Sequence, residues 1–158
     1  MNVTDTLEQS HLQVIQVLDD LPEVAWDIPG VCGQWSVKDI IAHLASYEQV
    51  LVDILNSFTK QVATPALDRF IELGGQFNDY EVRQRKEKTM EEVLQELNEA
   101  HSSTMSFIAA IPVETLRQVG TLPWYGMDYS LDDVIVYMYY GHKREHSAQI
   151  AAFQDRLG

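Results

Sequence analysis

The sequence predicts an all-α fold, an up-down four-helix bundle with a short extra helical segment between its second and third helices. Three observations lead there. Apolar residues recur at helical spacing over four separate stretches. Each stretch opens on Asp, Ser or Thr with an acidic side chain three residues on, the signature of a helix N-terminus. Convincing apolar–polar alternation of the strand kind is absent. An amphipathic stripe cannot be buried by its own helix, so the four must pack together. At 158 residues the chain is the size of one domain, spanning residues 1–158.

The first helix is expected to start at Asp5, with Glu8 as its capping-box partner. It runs through Leu7, Val14, Ile15 and Leu18 and stops before Pro22. Ser36 caps the second, Asp39 lies three residues later, and Trp35 and Ile40 are spaced as a hydrophobic staple. Its stripe continues through Ile41, Leu44, Tyr47, Leu51, Ile54 and Leu55 and ends near Thr59. Between Pro65 and Lys88 the pattern weakens, and Gly74-Gly75 marks a break between two short helical pieces. Thr89 with Glu92 opens the third long helix, which carries Leu94, Leu97, Met105 and Ile108 and stops at Pro112. After the turn-rich "VGTLPWYGMDY", Ser130 with Asp133 starts the fourth, with Tyr129 and Val134 as a second staple. Its face reads Leu131, Val134, Ile135, Met138, His142, Phe153.

Composition narrows the function. No apolar run reaches the roughly 18 residues of a membrane span. The start, "MNVTDTLEQS", has neither a basic nor an apolar leader region, so a cytoplasmic location is expected. Cys32 is the only cysteine, which excludes an intrachain disulfide and a thiolate-rich metal site. A net charge of −13 argues against nucleic acid as a partner, because phosphate contact needs a cationic footprint. The one basic cluster, "RQRKEK" with Arg83, Arg85, Lys86 and Lys88, reads as a solvated helix face or loop.

The histidines carry the functional signal. In "YYGHKREHSAQI", His142 and His146 are four apart and share one side of the fourth helix. The periodicity puts His142 near the middle of the stripe, His146 at its border, and His43 on the inner side of the second helix. In an up-down bundle the second and fourth helices run in the same direction, so the two halves of a site could converge. His43 lies seven residues past its cap and His142 twelve past its own, which requires the helices to be offset. Three neutral imidazoles would leave positions free on a divalent metal, Zn, Ni, Fe or Mn. Spacing alone suits structural histidines equally well. His101, also facing inward, could replace His43 as third ligand, support the ligands from behind or be structural, the last being the favoured reading, and His11 is a weaker candidate.

The stretch "GQWSVKDIIAHLASYE" resembles the DinB/YfiT-like superfamily of metal-binding four-helix bundles: a tryptophan and a capping serine precede the second helix, and a histidine follows at His43. "GHKREH" is similar to that family's late-helix ligand pair, "FNDYEVRQRKEKTMEEVLQELNEAH" is similar to members of the group, and "PWYG" resembles the ClbS-like branch. The resemblance spans roughly Asp5 to Phe153 and implies a metal held by His43, His142 and His146. It also implies a homodimer and, in several branches, transfer or isomerisation dependent on a low-molecular-weight thiol such as mycothiol, bacillithiol or glutathione. The expected function is a divalent-metal-dependent enzyme, a thiol transferase, isomerase or hydrolase acting on a small electrophile. The alternative is a non-catalytic small-molecule-binding or dimerisation module. Glu145 and Tyr47 are the candidate proton-handling residues, and Trp124 and Tyr125 candidate pocket lining, because the loops before helices two and four should meet at one end. Cys32 is expected to be structural.

Overall fold

The structure, a computed structural model, describes residues 2–157 and is all-helical. Helix α1 (Val3–Asp19) starts earlier than Asp5. Asn2 is the cap, its side-chain oxygen accepting from the Asp5 N–H at 2.9 Å, so Asp5 is the third helical residue. The sequence offers the same cap-plus-acid spacing twice, and the earlier one wins. Helix α2 (Val37–Ser57) has both arms of the Ser36/Asp39 capping box, and α5 (Met90–Ile108) has both arms of Thr89/Glu92. Between them lie α3 (Pro65–Leu73) and α4 (Phe77–Gln84), parted by a 3-10 turn at Gly74–Gln76. Gly74 has φ +54°, a conformation that favours glycine and breaks the helix there. A short α6 (Val113–Arg117) follows Pro112.

The last rod begins as α7 (Leu131–Val134) behind a complete Ser130/Asp133 capping box. It widens into a π-helical stretch at Ile135–Tyr140 and continues as α8 (Gly141–Leu157). The expected Tyr129–Val134 staple is not made. Tyr129 is exposed and stacks edge-on against Tyr125, while a Cβ on Gly126 would come within 2.8 Å of the Tyr129 ring. The π stretch shifts the buried face by one position, from Met138 and His142 to Tyr139, Lys143, His146, Ile150 and Phe153.

The helices do not alternate in direction. Along α2 and α5, Asp39 pairs with Lys86 just before α5, and Glu48 meets Thr104 further on, so these two run the same way. Along α2 and the last rod, His43 meets His142 and His146 whereas Tyr47 meets Tyr139, so α2 and α8 are antiparallel. The expectation that helices two and four run in the same direction is therefore corrected. The cause is the long connection carrying α3 and α4, which returns the chain to the end from which α2 started.

Two apolar clusters fill the interior. One holds Leu7, Leu51, Ile54, Ile108, Leu131 and Tyr139, the other Val14, Ile40, Leu44, Leu97, Ile150 and Phe153. Between them, each long helix contributes polar side chains: His11, Glu48, Thr104, Lys143 and Ser147 are all buried. That polar layer is where the candidate site sits.

Candidate metal centre

His43 projects from α2 and His142 and His146 from the first turns of α8. The Nε2 of His142 lies 2.9 Å from Nε2 of His43 and 2.9 Å from Nε2 of His146. The three rings stand steeply to one another, at 84°, 83° and 68°. Each offers a ligand nitrogen, and all of these lie within 4.8 Å of one another. Bonds of about 2.0–2.1 Å to a shared cation set imidazole nitrogens roughly 3 Å apart, so the arrangement is on the right scale.

Hydrogen bonding alone does not account for it. One imidazole nitrogen carries either a proton or a lone pair, so His142 Nε2 can satisfy one of its two neighbours and not both. His146 Nδ1 lies 2.7 Å from Gln149 Oε1; the amide oxygen can only accept, so Nδ1 is the protonated nitrogen and Nε2 presents a lone pair. His43 Nδ1 is buried without a partner. A divalent cation accepting three lone pairs resolves the convergence, and the residues fit one.

Protonation favours the same reading. Burial, reinforced by His142 and His146, pushes the pKa of His43 down to about 2. Burial, with His146 and Lys143, pushes His142 to about 3, and burial also lowers His146. The rings are therefore neutral, as ligands must be.

A stability consequence follows. Burial, then Lys143, also lowers His11 to about 4. His43, His142 and His11 stay neutral in the fold to well below pH 6.5, whereas in the unfolded chain they take up protons below about 6.5. The unfolded state then binds more protons, so stability is full above that pH and falls on acidification. Urea unfolding of chelator-treated protein should show a loss of at least about 2 kcal/mol between pH 7 and pH 5. Each ring protonated in the unfolded chain alone removes up to about 1.4 kcal/mol for every step of one in pH. An unchanged midpoint would contradict the neutral-histidine assignment. Gln149→Ala frees His146 Nδ1 and should weaken metal binding about 10–100-fold without abolishing it, as read by competition with a chromogenic chelator.

The family model for the DinB superfamily matches residues 6–150. The chain belongs to the DinB superfamily. No curated protein and no solved structure matches it. Within this DinB chain the residues around the triad are placed as follows. The "CGQW" turn, closed by Trp35 N–H donating to the Cys32 carbonyl at 2.9 Å, holds the Trp35 indole against His43 at 4.9 Å. Cys32 is free and half-buried in that turn. Tyr47 packs against two of the three rings, 4.7 Å from His43 and 4.8 Å from His142, and its backbone carbonyl accepts from the Tyr139 hydroxyl at 2.9 Å. Burial raises the Tyr47 phenol pKa, so its hydroxyl keeps its proton.

Glu145, expected near the inner face, is exposed. The π stretch turns Lys143 inward in its place. Trp124 packs against Phe70 at 5.8 Å, and Tyr125 against Trp124 and Tyr129. The loops before α2 and α7 do not meet: Trp35 belongs to one apolar cluster and Trp124 to the other, as antiparallel α2 and α8 require.

His101 is not in the triad. Its ring stacks flat on His11 at 3.8 Å, and its Nδ1 stands 3.9 Å from Glu48. Sequence reading missed the centre of this DinB polar layer. Glu48, fully buried, pairs with Lys143 at 2.7 Å and accepts from the Thr104 hydroxyl at 2.8 Å. Burial alone would raise the Glu48 pKa; Lys143, with the Thr104 hydrogen bond, holds it at about 2. The signal was present, since Glu48 lies four residues after Leu44 and three before Leu51 on the buried face. The basic cluster is solvated at Arg83 and Lys86, as expected, but not at Arg85. Arg85 is buried and pairs with Glu81 at 2.8 Å and Glu96 at 2.7 Å; Lys88 pairs with Glu96, and Lys86 with Asp39 at 3.1 Å. No described helix is long and apolar enough to cross a membrane.

Proposed function

We propose that this protein is a divalent-metal-dependent enzyme that transfers a low-molecular-weight thiol to a small electrophile. The observation that carries the proposal is the convergence of three neutral imidazole nitrogens drawn from two helices. A divalent cation bound there would supply a Lewis-acid centre that lowers the pKa of a thiol.

Thiol chemistry is favoured over hydrolysis by what surrounds the triad. Water is a far weaker acid than a thiol, with a pKa of about 15.7 against about 8.5, so its activation gains more from a neighbouring base. Glu48, the buried carboxylate of this layer, is committed to Lys143 and Thr104, and Glu145 is exposed. Tyr47 keeps its phenolic proton and its ring packs on two of the histidine rings; in this reading it is the group that donates to a departing or developing anion. His146, fixed by Gln149, keeps its lone pair aimed at the centre.

The test uses zinc-, nickel-, iron- and manganese-loaded protein with glutathione, bacillithiol or mycothiol and 1-chloro-2,4-dinitrobenzene. The thiol gives up its proton to the buffer, its sulfur forms a C–S bond to the ring, and chloride leaves with its electron pair. Turnover above the uncatalysed rate with at least one pairing is expected, and it should vanish with chelator and in His146→Ala. Absence of turnover across every pairing would remove the transferase reading and favour a binding module.

A further inference from the structure

Helices α2, α3 and α4 and the loop before α7 enclose a pocket of about 400 Å³ whose inner wall is Tyr47, the residue that packs on His43 and His142. Its other walls are Phe70 from α3 and Trp124 from the "PWYG" loop. Phe70 meets Tyr47 at 5.6 Å and 85°, and Trp124 at 5.8 Å and 76°. Three rings set edge-to-face form an aromatic corner open on one side. No Asp, Glu, Lys or Arg lines it; the polar contribution is Asn78, which lies against the Tyr47 hydroxyl. Gly74 and Gly75 also line it, and an added Cβ at either would meet no atom within 4 Å.

We infer that this pocket is the acceptor subsite and takes the uncharged aromatic or apolar body of the electrophile. The inference rests on the thiol-transfer reading for its chemistry, although the binding it describes does not. Pocket walls of this kind bind by burying apolar surface, and a single polar group orients the guest. An anion finds no cationic partner in the wall and approaches a chain of net charge −13. A cation would gain the ring faces alone, with no carboxylate in the lining to replace its water.

The experiment is calorimetry on chelator-treated protein with three probes of one shape: 2-naphthalenemethanol, 2-naphthoate and (2-naphthylmethyl)trimethylammonium. The alcohol should bind at least tenfold more tightly than either ion. Trp124→Ala and Phe70→Ala each remove one ring of the corner, and each should weaken the alcohol at least tenfold. The thermal transition of each variant verifies folding. Zinc uptake, measured separately on the same proteins, reports on the metal centre, so either reading can fail while the other stands. No binding of the alcohol, equal or tighter binding of an ion, or wild-type affinity in both variants would overturn the assignment.

Discussion

Removing the metal from the wild-type protein should lower its thermal midpoint by about 5–10 °C, and the same treatment should leave His43→Ala and His146→Ala unmoved. A ligand bound only by the folded chain adds about 2.7 kcal/mol when present at 100 times its dissociation constant. For a chain of this size that corresponds to about 2–4 °C per kcal/mol. His43 and His146 come from different helices, and each supplies a nitrogen that no described neighbour can replace, so loss of either leaves two ligands. His43→Ala also removes a buried ring packed against Trp35 and Tyr47, and the variant will be less stable before any metal is considered. The informative quantity is therefore the chelator-dependent difference within each protein. Metal analysis of untagged protein should give one cation per chain for wild type and for His101→Ala. Full stoichiometry in His43→Ala would overturn the centre.

The cap residues show how much of the fold was legible. Ser36/Asp39, Thr89/Glu92 and Ser130/Asp133 announce three helix starts because the capping box is a local structure, closed within four residues. Local chemistry failed where two candidate caps overlapped, at Asn2 and Asp5. Helix direction is not local. Nothing in the stripes says whether the chain from Ser57 to Thr89 goes straight into the next helix or first crosses back, and α3 and α4 take it back. One hint lay in the unequal depths of His43 and His142. Parallel helices would have needed an offset, whereas antiparallel ones with caps at opposite ends need none.

The triad was legible because histidine at i, i+4 presents two rings to one point whatever the rest of the helix does. The residues around it were less so. A regular 100° turn carried from Ser130 puts His142 at the centre of the buried face, and the π stretch at Ile135–Tyr140 adds the rotation that buries Lys143 and His146 more deeply. Its six residues, "IVYMYY", are also readable as ordinary helix, so the shift has no sequence mark. Glu145 looked internal for that one reason.

Glu48→Ala or Lys143→Ala should destabilise the protein by about 3–5 kcal/mol, the cost of leaving its partner's charge buried and unpaired. Both side chains are almost wholly excluded from water, and their 2.7 Å pairing spans α2 and α8 between the two apolar clusters. Lys143 has no second carboxylate among the described ion pairs, so its ammonium would lose its compensating charge in Glu48→Ala. The double variant Glu48→Leu/Lys143→Met removes both charges and fills similar volume, and should recover most of the loss in urea unfolding. If the single variants cost less than about 1 kcal/mol, the pair is not buried as described. The double variant also separates stability from positioning. Lys143 follows His142 directly, and its ion pair with Glu48 is made from the same turn of α8 from which His142 projects toward His43. A double variant with restored stability and weakened metal affinity would show that the ion pair holds the ligand in place; one with restored stability and unchanged affinity would assign it to the fold alone.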